Sequence, residues 1–288
     1  MYTLLFFIFK KNTNPDLVHV LEHIIADYLY FNKNIENLYC RSIKNCFYII
    51  AEKNLTKQAT LILKKITNPT KIEYTTAKKQ IILEKNFSFG KTESDLELST
   101  IGRRAYLKNL DYAFFLEKIK STLKGYAIIS PKTTIEKNFS LKDITTYKPQ
   151  KLKKTGKQNI LIWNMAPKQP IQNILNSYLN FDFLLKDYKQ DIIVEYDFIG
   201  GTYYITTTKN VYKVADKIQK QIQNTNTKNL FSLSKLQFYA ETLDVPIYKT
   251  LTKYIMKLSK QPYKLSCREF SNAIKKFSVN KFNWVIIE

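Results

Sequence analysis

Cysteine, long apolar runs and targeting signals are scarce or missing in this sequence, and each shortage excludes a class of protein. The three cysteines, Cys40, Cys46 and Cys267, form no CxxC pair, which excludes a disulfide framework and a cysteine-based structural zinc site. No apolar run is long enough to span a bilayer, and residues 2–11 lack a basic region and a small-residue cleavage site. A soluble, cytoplasmic protein without membrane association is therefore expected.

Arginine is also scarce, although positive charge is abundant. The chain carries 46 Lys+Arg against 24 Asp+Glu, a formal net charge of +22, and only four of the basic residues are Arg. Base readout and bidentate phosphate binding favour Arg, and the lysines are spread along the whole chain. Diffuse compositional charge is therefore preferred to a nucleic-acid surface, and a basic nucleic-acid-binding protein stays as the lesser alternative.

Two halves of similar organisation follow one another along the chain. With 44% hydrophobic residues, sizeable cores can be buried. Strand patterns open and close each half and helical patterns lie between them, and the segment 148–158, with its Lys, Pro and Gly residues, is the best linker candidate. We therefore expect an α+β fold of two similar domains, 1–147 and 159–288, each a mostly antiparallel sheet flanked by helices.

Individual elements follow from the spacing of apolar residues. The run 2–9 predicts a buried strand, and apolar residues at helical spacing predict a helix over 16–30, which Asp16 can cap. The other segments of the first half are predicted as helices over 56–66, 75–85 and 112–123 and as strands over 37–44, 46–51 and 126–130. In the second half, we expect strands over 159–163, 192–199, 202–207 and 284–287, and helices over 171–185, 210–224, 232–242, 247–259 and 268–277.

The two histidines of the chain, His19 and His23, stand four residues apart with Glu22 between them. Residues i and i+4 of a helix share one face, so both imidazoles can bind one zinc ion. Glu22, at i+3 from His19, projects to the same side and can act as general base toward the zinc-activated water. This order is the H-x-x-E-H signature of inverzincin peptidases.

A third metal ligand has to be a carboxylate, because neither a further histidine nor a suitable cysteine remains. Glu84 lies in an otherwise basic and apolar helical pattern over 77–85, and Glu73, Glu93 and Glu97 are its alternatives. A set of two histidines and one carboxylate accepts zinc, manganese or cobalt. One Zn²⁺ per chain is expected.

The motif and its surroundings resemble the insulinase/pitrilysin family of zinc metallopeptidases, which includes the mitochondrial processing peptidase. In that family a strand and a turn lead into the H-x-x-E-H helix, as residues 4–23 do here. The run 81–84 resembles the end of the helix that carries the family's third ligand, which favours Glu84. Glu97 fits the family's spacing better, but it leaves no room for a helix before the Gly-Arg landmark at 102–103. Both domains are shortened relative to the family, and only H-x-x-E-H is specific.

The resemblance also implies how a peptide or unfolded protein substrate binds. An extended substrate would pair its backbone with the family's edge strand. In this chain, the residues that correspond to that edge strand are Tyr39, Cys40, Arg41, Ser42, Ile43 and Lys44. In the second domain, Lys186 stands where the family has a substrate-binding Arg, and Tyr196 lies near the position of a Tyr, without matching the pattern. A second chain in a homodimer or heterodimer could supply the missing substrate-binding residues. The alternative to a peptidase within this family is a non-catalytic, peptide-binding subunit.

Overall fold

The computed structural model describes most of the first half of the chain continuously and the second half as separate elements. The chain divides into two compact units, Met1–Thr145 and Thr146–Glu288. Each unit combines helices with an antiparallel sheet, which confirms the predicted α+β class. The predicted linker 148–158 lies outside the described residues, and a common fold for the two halves stays a prediction. The described residues are 1–43, 45–87, 110–144, 159–164, 192–197, 202–207, 246–259, 266–276, 286–287 and single positions between 213 and 232.

The first unit alternates strands and helices around one sheet. Its described elements are β1 (Thr3–Phe9), α1 (Pro15–Lys33), β2 (Leu38–Ile43), β3 (Cys46–Ala51), α2 (Ala59–Thr67), α3 (Lys71–Phe87), α4 (Tyr112–Thr122), β4 (Leu123–Ile129) and β5 (Thr134–Lys137). The predicted strands and helices of this half are confirmed to within a few residues at most of their ends. Strand β5 was not predicted, because its four partly exposed residues carry no apolar alternation that a sequence pattern could show.

The five strands form a sheet in the order β2-β3-β1-β4-β5, with every pair antiparallel. All seven residues of the central strand β1 are buried, which explains its uninterrupted apolar sequence. On one face of the sheet, Phe7 belongs to the core beneath the helices, and on the other face Phe6 packs against Tyr48 and Phe139. Strand β2 pairs with β3 alone among the described strands, so it forms one edge of this sheet.

Helix α1 begins at a different cap from the one the sequence predicted. Asn14 is the N-cap: its Oδ1 accepts a hydrogen bond from the Asp16 N–H at 2.8 Å, and Pro15 occupies the first helical position. The prediction that Asp16 caps the helix is therefore wrong. Asp16 lies buried in the first turn instead, where the positive end of the helix dipole favours an acidic side chain.

The hairpin that joins the edge strand β2 to β3 is fixed at Asn45. The buried Asn45 side chain donates from Nδ2 to the carbonyl oxygens of Phe9 and Asp143, both at 2.9 Å. The main-chain carbonyl oxygen of Asn45 accepts from the Phe9 N–H at 2.7 Å. These bonds tie the turn to the end of β1 and to a short 3-10 turn at Leu141–Asp143, so the edge strand has a defined position.

The second unit is described through four strands and two helices. These are β6 (Asn159–Asn164), β7 (Ile192–Asp197), β8 (Thr202–Thr207), α5 (Pro246–Ser259), α6 (Cys267–Lys276) and β9 (Ile286–Ile287). The strands form an antiparallel sheet in the order β7-β8-β6-β9. The predicted helix over 171–185 lies outside the described residues, and those over 210–224 and 232–242 fall there for most of their length. None of the helices described in either unit is long and apolar enough to cross a membrane.

Gly125 in β4 occupies a position where a larger residue does not fit. A Cβ atom there would lie 2.1 Å from the carbonyl oxygen of Asn138 and 2.7 Å from that of Lys137. Because both are main-chain atoms at the end of β5, the strand itself would have to move. We therefore expect Gly125→Ala to lower the free energy of unfolding by about 1–3 kcal/mol, the usual cost of overpacking.

Chemical denaturation of the two proteins measures this loss. Lys132→Ala is the matched control, since Lys132 is exposed in the connection between the same two strands. Wild-type stability in Gly125→Ala would contradict the close approach of the two strands.

Candidate metal centre

Helix α1 carries His19, Glu22 and His23 on one side, because the rest of the helix is held by the core. The two histidines are partly buried, and Glu22 is only 7% exposed. The apolar residues that anchor the helix in the core are Leu17, Val18, Val20, Leu21, Ile24, Ile25 and Leu29. Their packing leaves little freedom for the helix to rotate, so the direction of the three polar side chains is set by the fold.

The two imidazole rings lie at a separation that suits one shared ion. Nε2 of His19 and Nε2 of His23 are 3.2 Å apart, and the ring centroids are 4.9 Å apart. Two nitrogen ligands that bind one tetrahedral zinc ion at about 2.0–2.1 Å stand about 3.3–3.4 Å from each other. The donor atoms and their spacing therefore fit a zinc ion.

Glu22 places a carboxylate beside the same two rings. Its Oε2 lies 3.9 Å from Nε2 of His19, and its side chain is 10% exposed. A carboxylate shielded from bulk water and adjacent to an imidazole pair can accept and return a proton close to those rings. The arrangement thus combines two nitrogen ligands with a proton acceptor, which is the chemistry that the H-x-x-E-H order predicts.

Cys40 in the edge strand β2 lies close to the acidic groups of α1. Burial raises the pKa of the Cys40 thiol well above its usual range, and the negative charges of Glu22 and Asp27 raise it further. A thiol with a raised pKa stays protonated and unreactive at neutral pH. Cys40 therefore packs beside the site as a neutral group, and none of the three cysteines forms a disulfide.

Helix α3 reaches the histidines through Gln80, a residue that the sequence pattern did not single out. Nδ1 of His23 lies 3.2 Å from Oε1 of Gln80, and Nε2 of Gln80 donates to Oδ2 of Asp27 at 3.0 Å. Asp27 follows His23 by four residues on α1, so it extends the i+4 series that His19 and His23 begin. That spacing is the signal by which the sequence could have identified Asp27.

Gln80 contacts α1 directly and Glu73 reaches it through Lys65 of α2, and together these contacts indicate that α1 and α3 run in opposite directions. Glu73, at the start of α3, bonds Lys65 at 2.5 Å, and Lys65 Nζ lies 5.6 Å from the centre of the Tyr28 ring. Two turns later along α3, Gln80 contacts His23 instead. A step forward along α3 is therefore a step back along α1.

Glu84 and the other glutamates proposed as third ligand are described to different extents. Glu84 lies in α3, four residues after Gln80 and so on the same face of the helix, but its side chain is outside the described part of the chain. Glu93 and Glu97 are outside it altogether. The choice between Glu84 and Glu97 therefore stays a prediction.

Glu73 is the one alternative whose side chain is described, and it is engaged elsewhere. Its Oε2 accepts from the N–H and Oγ1 of Thr70 at 2.7 and 2.9 Å, while its own N–H bonds Thr70 Oγ1, a capping box at the start of α3. Its Oε1 bonds Lys65. Within the described residues, no group of three or more His, Cys, Asp and Glu side chains could hold a metal ion. In the described part of the chain, His19 and His23 are therefore a two-residue set of candidate ligands.

The residues predicted to bind substrate lie partly in described elements. Five of the six edge-strand residues lie in β2, namely Tyr39, Cys40, Arg41, Ser42 and Ile43, and Lys44 lies outside the described residues. In the second unit Tyr196 lies in β7, opposite Tyr203 of β8, and Lys186 lies outside the described elements. A role for any of them in substrate binding stays a prediction.

Comparison with solved structures gives a weak likeness, and comparison with protein families and curated proteins gives none. No protein-family model matches the sequence, and no curated protein matches it either. Among solved structures, a crystal structure of pitrilysin is similar to this chain at a TM-score of 0.49 and 9% sequence identity. The likeness covers 99% of this chain and 40% of that one, so the chain spans less than half of the pitrilysin chain. With a TM-score below 0.5, it does not place the chain in a family.

Proposed function

We propose that this chain is a zinc-dependent peptidase of the insulinase/pitrilysin type. The observation that carries the proposal is the pair of imidazole Nε2 atoms 3.2 Å apart on α1, with the shielded Glu22 carboxylate 3.9 Å from one of them. Two nitrogen ligands and a proton acceptor on one turn of a helix are the parts that metal-assisted peptide hydrolysis needs.

In this proposal His19, His23 and Glu84 hold one ion per chain. Glu84 is supported by its place on α3, one turn beyond Gln80 on the same face. Because α3 runs opposite to α1, the turn that follows Gln80 leads from His23 toward the part of α1 that carries His19. A carboxylate at that turn would complete a ligand set of two histidines and one glutamate, which catalytic zinc sites use.

Glu22 is the proposed proton carrier. A bound zinc ion would polarise the scissile carbonyl and lower the pKa of a water molecule. Glu22 takes a proton from the attacking water and passes it to the leaving amine. Its low exposure strengthens the role, since a carboxylate shielded from bulk water exerts a stronger field on nearby groups.

The proposed substrate is an extended peptide or a segment of unfolded protein. It would add to the sheet beside β2, which forms an edge among the described strands and is pinned there by Asn45. Backbone pairing of this kind accepts many sequences, so specificity would come from side-chain pockets. Lys186 and Tyr196 depart from the family's pattern, so we also propose that a second chain, the same or a related one, supplies substrate-binding groups. The proposed location of the protein is the cytoplasm.

Zinc content and peptide cleavage together test the proposal. The chain is purified, treated with a chelator, reloaded with zinc and freed of excess metal, and bound zinc per chain is measured by mass spectrometry. We expect one zinc per chain and cleavage of an unstructured peptide that the chelator abolishes and zinc restores. A wild-type chain that binds no zinc would contradict the metal site, whereas bound zinc without cleavage of any peptide in a mixed library would contradict the peptidase.

A further inference from the structure

The geometry points to Gln80 and Asp27 as positioning residues that set the tautomer of His23. This inference rests on the proposed function and deepens it, because it names the groups outside the ligand set that make one ligand ready to bind. Gln80 lies on α3 and Asp27 on α1, and their bonds form a continuous series from the Asp27 carboxylate to the His23 ring.

The direction of each bond in the series follows from what each group can do. A carboxylate only accepts hydrogen bonds, so the Asp27 carboxylate has to face the NH₂ group of Gln80, as it does at 3.0 Å. The Gln80 carbonyl oxygen then has to face Nδ1 of His23, at 3.2 Å. Because that oxygen is an acceptor, Nδ1 is the nitrogen that carries the proton in neutral His23.

The consequence falls on the other nitrogen of the ring. With the proton on Nδ1, Nε2 of His23 presents a lone pair toward Nε2 of His19, 3.2 Å away. That contact is consistent with the assignment, since one of two ring nitrogens at hydrogen-bond distance has to be an acceptor. A metal-binding histidine is used in the same form, with its second nitrogen donating to an oxygen acceptor.

The series also joins the tautomer of His23 to the packing of two helices. Gln80 is partly buried between α1 and α3, and one turn before it Ala77 is buried in the core. The helix that carries Glu84 therefore also supplies the acceptor for His23. Correct docking of α3 on α1 would set both the orientation of one ligand and the position of another.

Nitrogen NMR of the histidine rings tests the tautomer directly. The chain has two histidines, so ¹⁵N-labelled protein gives two ring systems, and His19→Ala assigns them. In metal-free wild type, we expect the proton of neutral His23 on Nδ1. We expect it to move to Nε2, or to exchange between the nitrogens, in Gln80→Met, which removes the acceptor at similar side-chain length.

Zinc affinity is the second readout, measured by competition with a chelator. Gln80→Met is expected to weaken zinc binding about 10–100-fold, as loss of such a partner usually does. Gln80→Glu combined with Asp27→Asn, which keeps an acceptor at Nδ1 of His23 and turns the Asp27 position into its donor, is expected to recover most of that loss. Lys79→Met is the matched control on the exposed side of α3 and is expected to bind zinc as the wild type does.

A wild-type His23 with its proton on Nε2, or a Gln80→Met protein with unchanged tautomer and zinc affinity, overturns the inference. If Gln80→Met does not fold, Asp27→Asn decides the question, since an amide no longer forces the orientation of Gln80 and a mixture of tautomers is expected. A wild type that binds no zinc overturns the proposed function alone, because the tautomer is measured in metal-free protein.

Discussion

Replacing Glu22 by glutamine is expected to slow peptide hydrolysis by about 10²–10⁴-fold while zinc stays bound. The amide keeps the size and the hydrogen-bonding shape of the side chain but cannot take up a proton. Glu22 is 7% exposed, and its Oε2 lies 3.9 Å from Nε2 of His19. A base dissolved in bulk water could not approach the histidines as closely, so it would not replace the missing carboxylate. The effect should therefore appear in kcat rather than in zinc content.

The measurement compares kcat with bound zinc for wild type and Glu22→Gln. Glu117→Gln, at an exposed glutamate on α4, serves as the control for the same chemical change and is expected to keep full activity. Hydrolysis that survives Glu22→Gln would contradict the general-base role. Loss of zinc in that variant would show instead that Glu22 acts as a ligand.

Local features of the fold were predictable from the sequence because local spacing determines them. The H-x-x-E-H residues lie on one side of α1, since an i+4 spacing gives one face in any helix. The central strand was predicted from its unbroken apolar run, which reflects burial on both faces of the sheet. The N-cap of α1 was missed by two positions, because Asn14 and Asp16 are both favourable cap residues, and in the structure it is Asn14 that accepts the cap hydrogen bond.

Contacts between helices were not predictable in the same way. Gln80 meets His23 across 57 positions of sequence. The buried residues Ala77 and Ile81 place Gln80 nearer than Lys79 to the core side of α3, but this spacing does not tell which residue of another helix Gln80 contacts. For the same reason the sequence narrows the third ligand to a few glutamates without selecting one, since its identity depends on where one helix lies against another.

Replacing Glu84 by glutamine is expected to weaken zinc binding by more than the roughly 10–100-fold loss that follows when an outer partner of a ligand is removed. The reason is that Glu84 would supply a charged oxygen directly to the ion, whereas Gln80 acts through His23. The two positions share one face of α3, so a series of affinities for Gln80→Met, Glu84→Gln and the double variant separates the two roles. Loss of a direct ligand should also abolish peptide hydrolysis, since too few groups would remain to hold the ion.

Glu97→Gln is the matched control, because Glu97 is the rival that fits the family's spacing and differs from Glu84 by its place outside α3. Retained affinity in Glu97→Gln together with lost affinity in Glu84→Gln would assign the ligand to the helix that also orients His23. The opposite pattern would move the ligand beyond α3, and α3 would then serve the site through Gln80 alone. Zinc affinity decides between these outcomes even if neither variant is active, because it reports the ligand rather than the reaction.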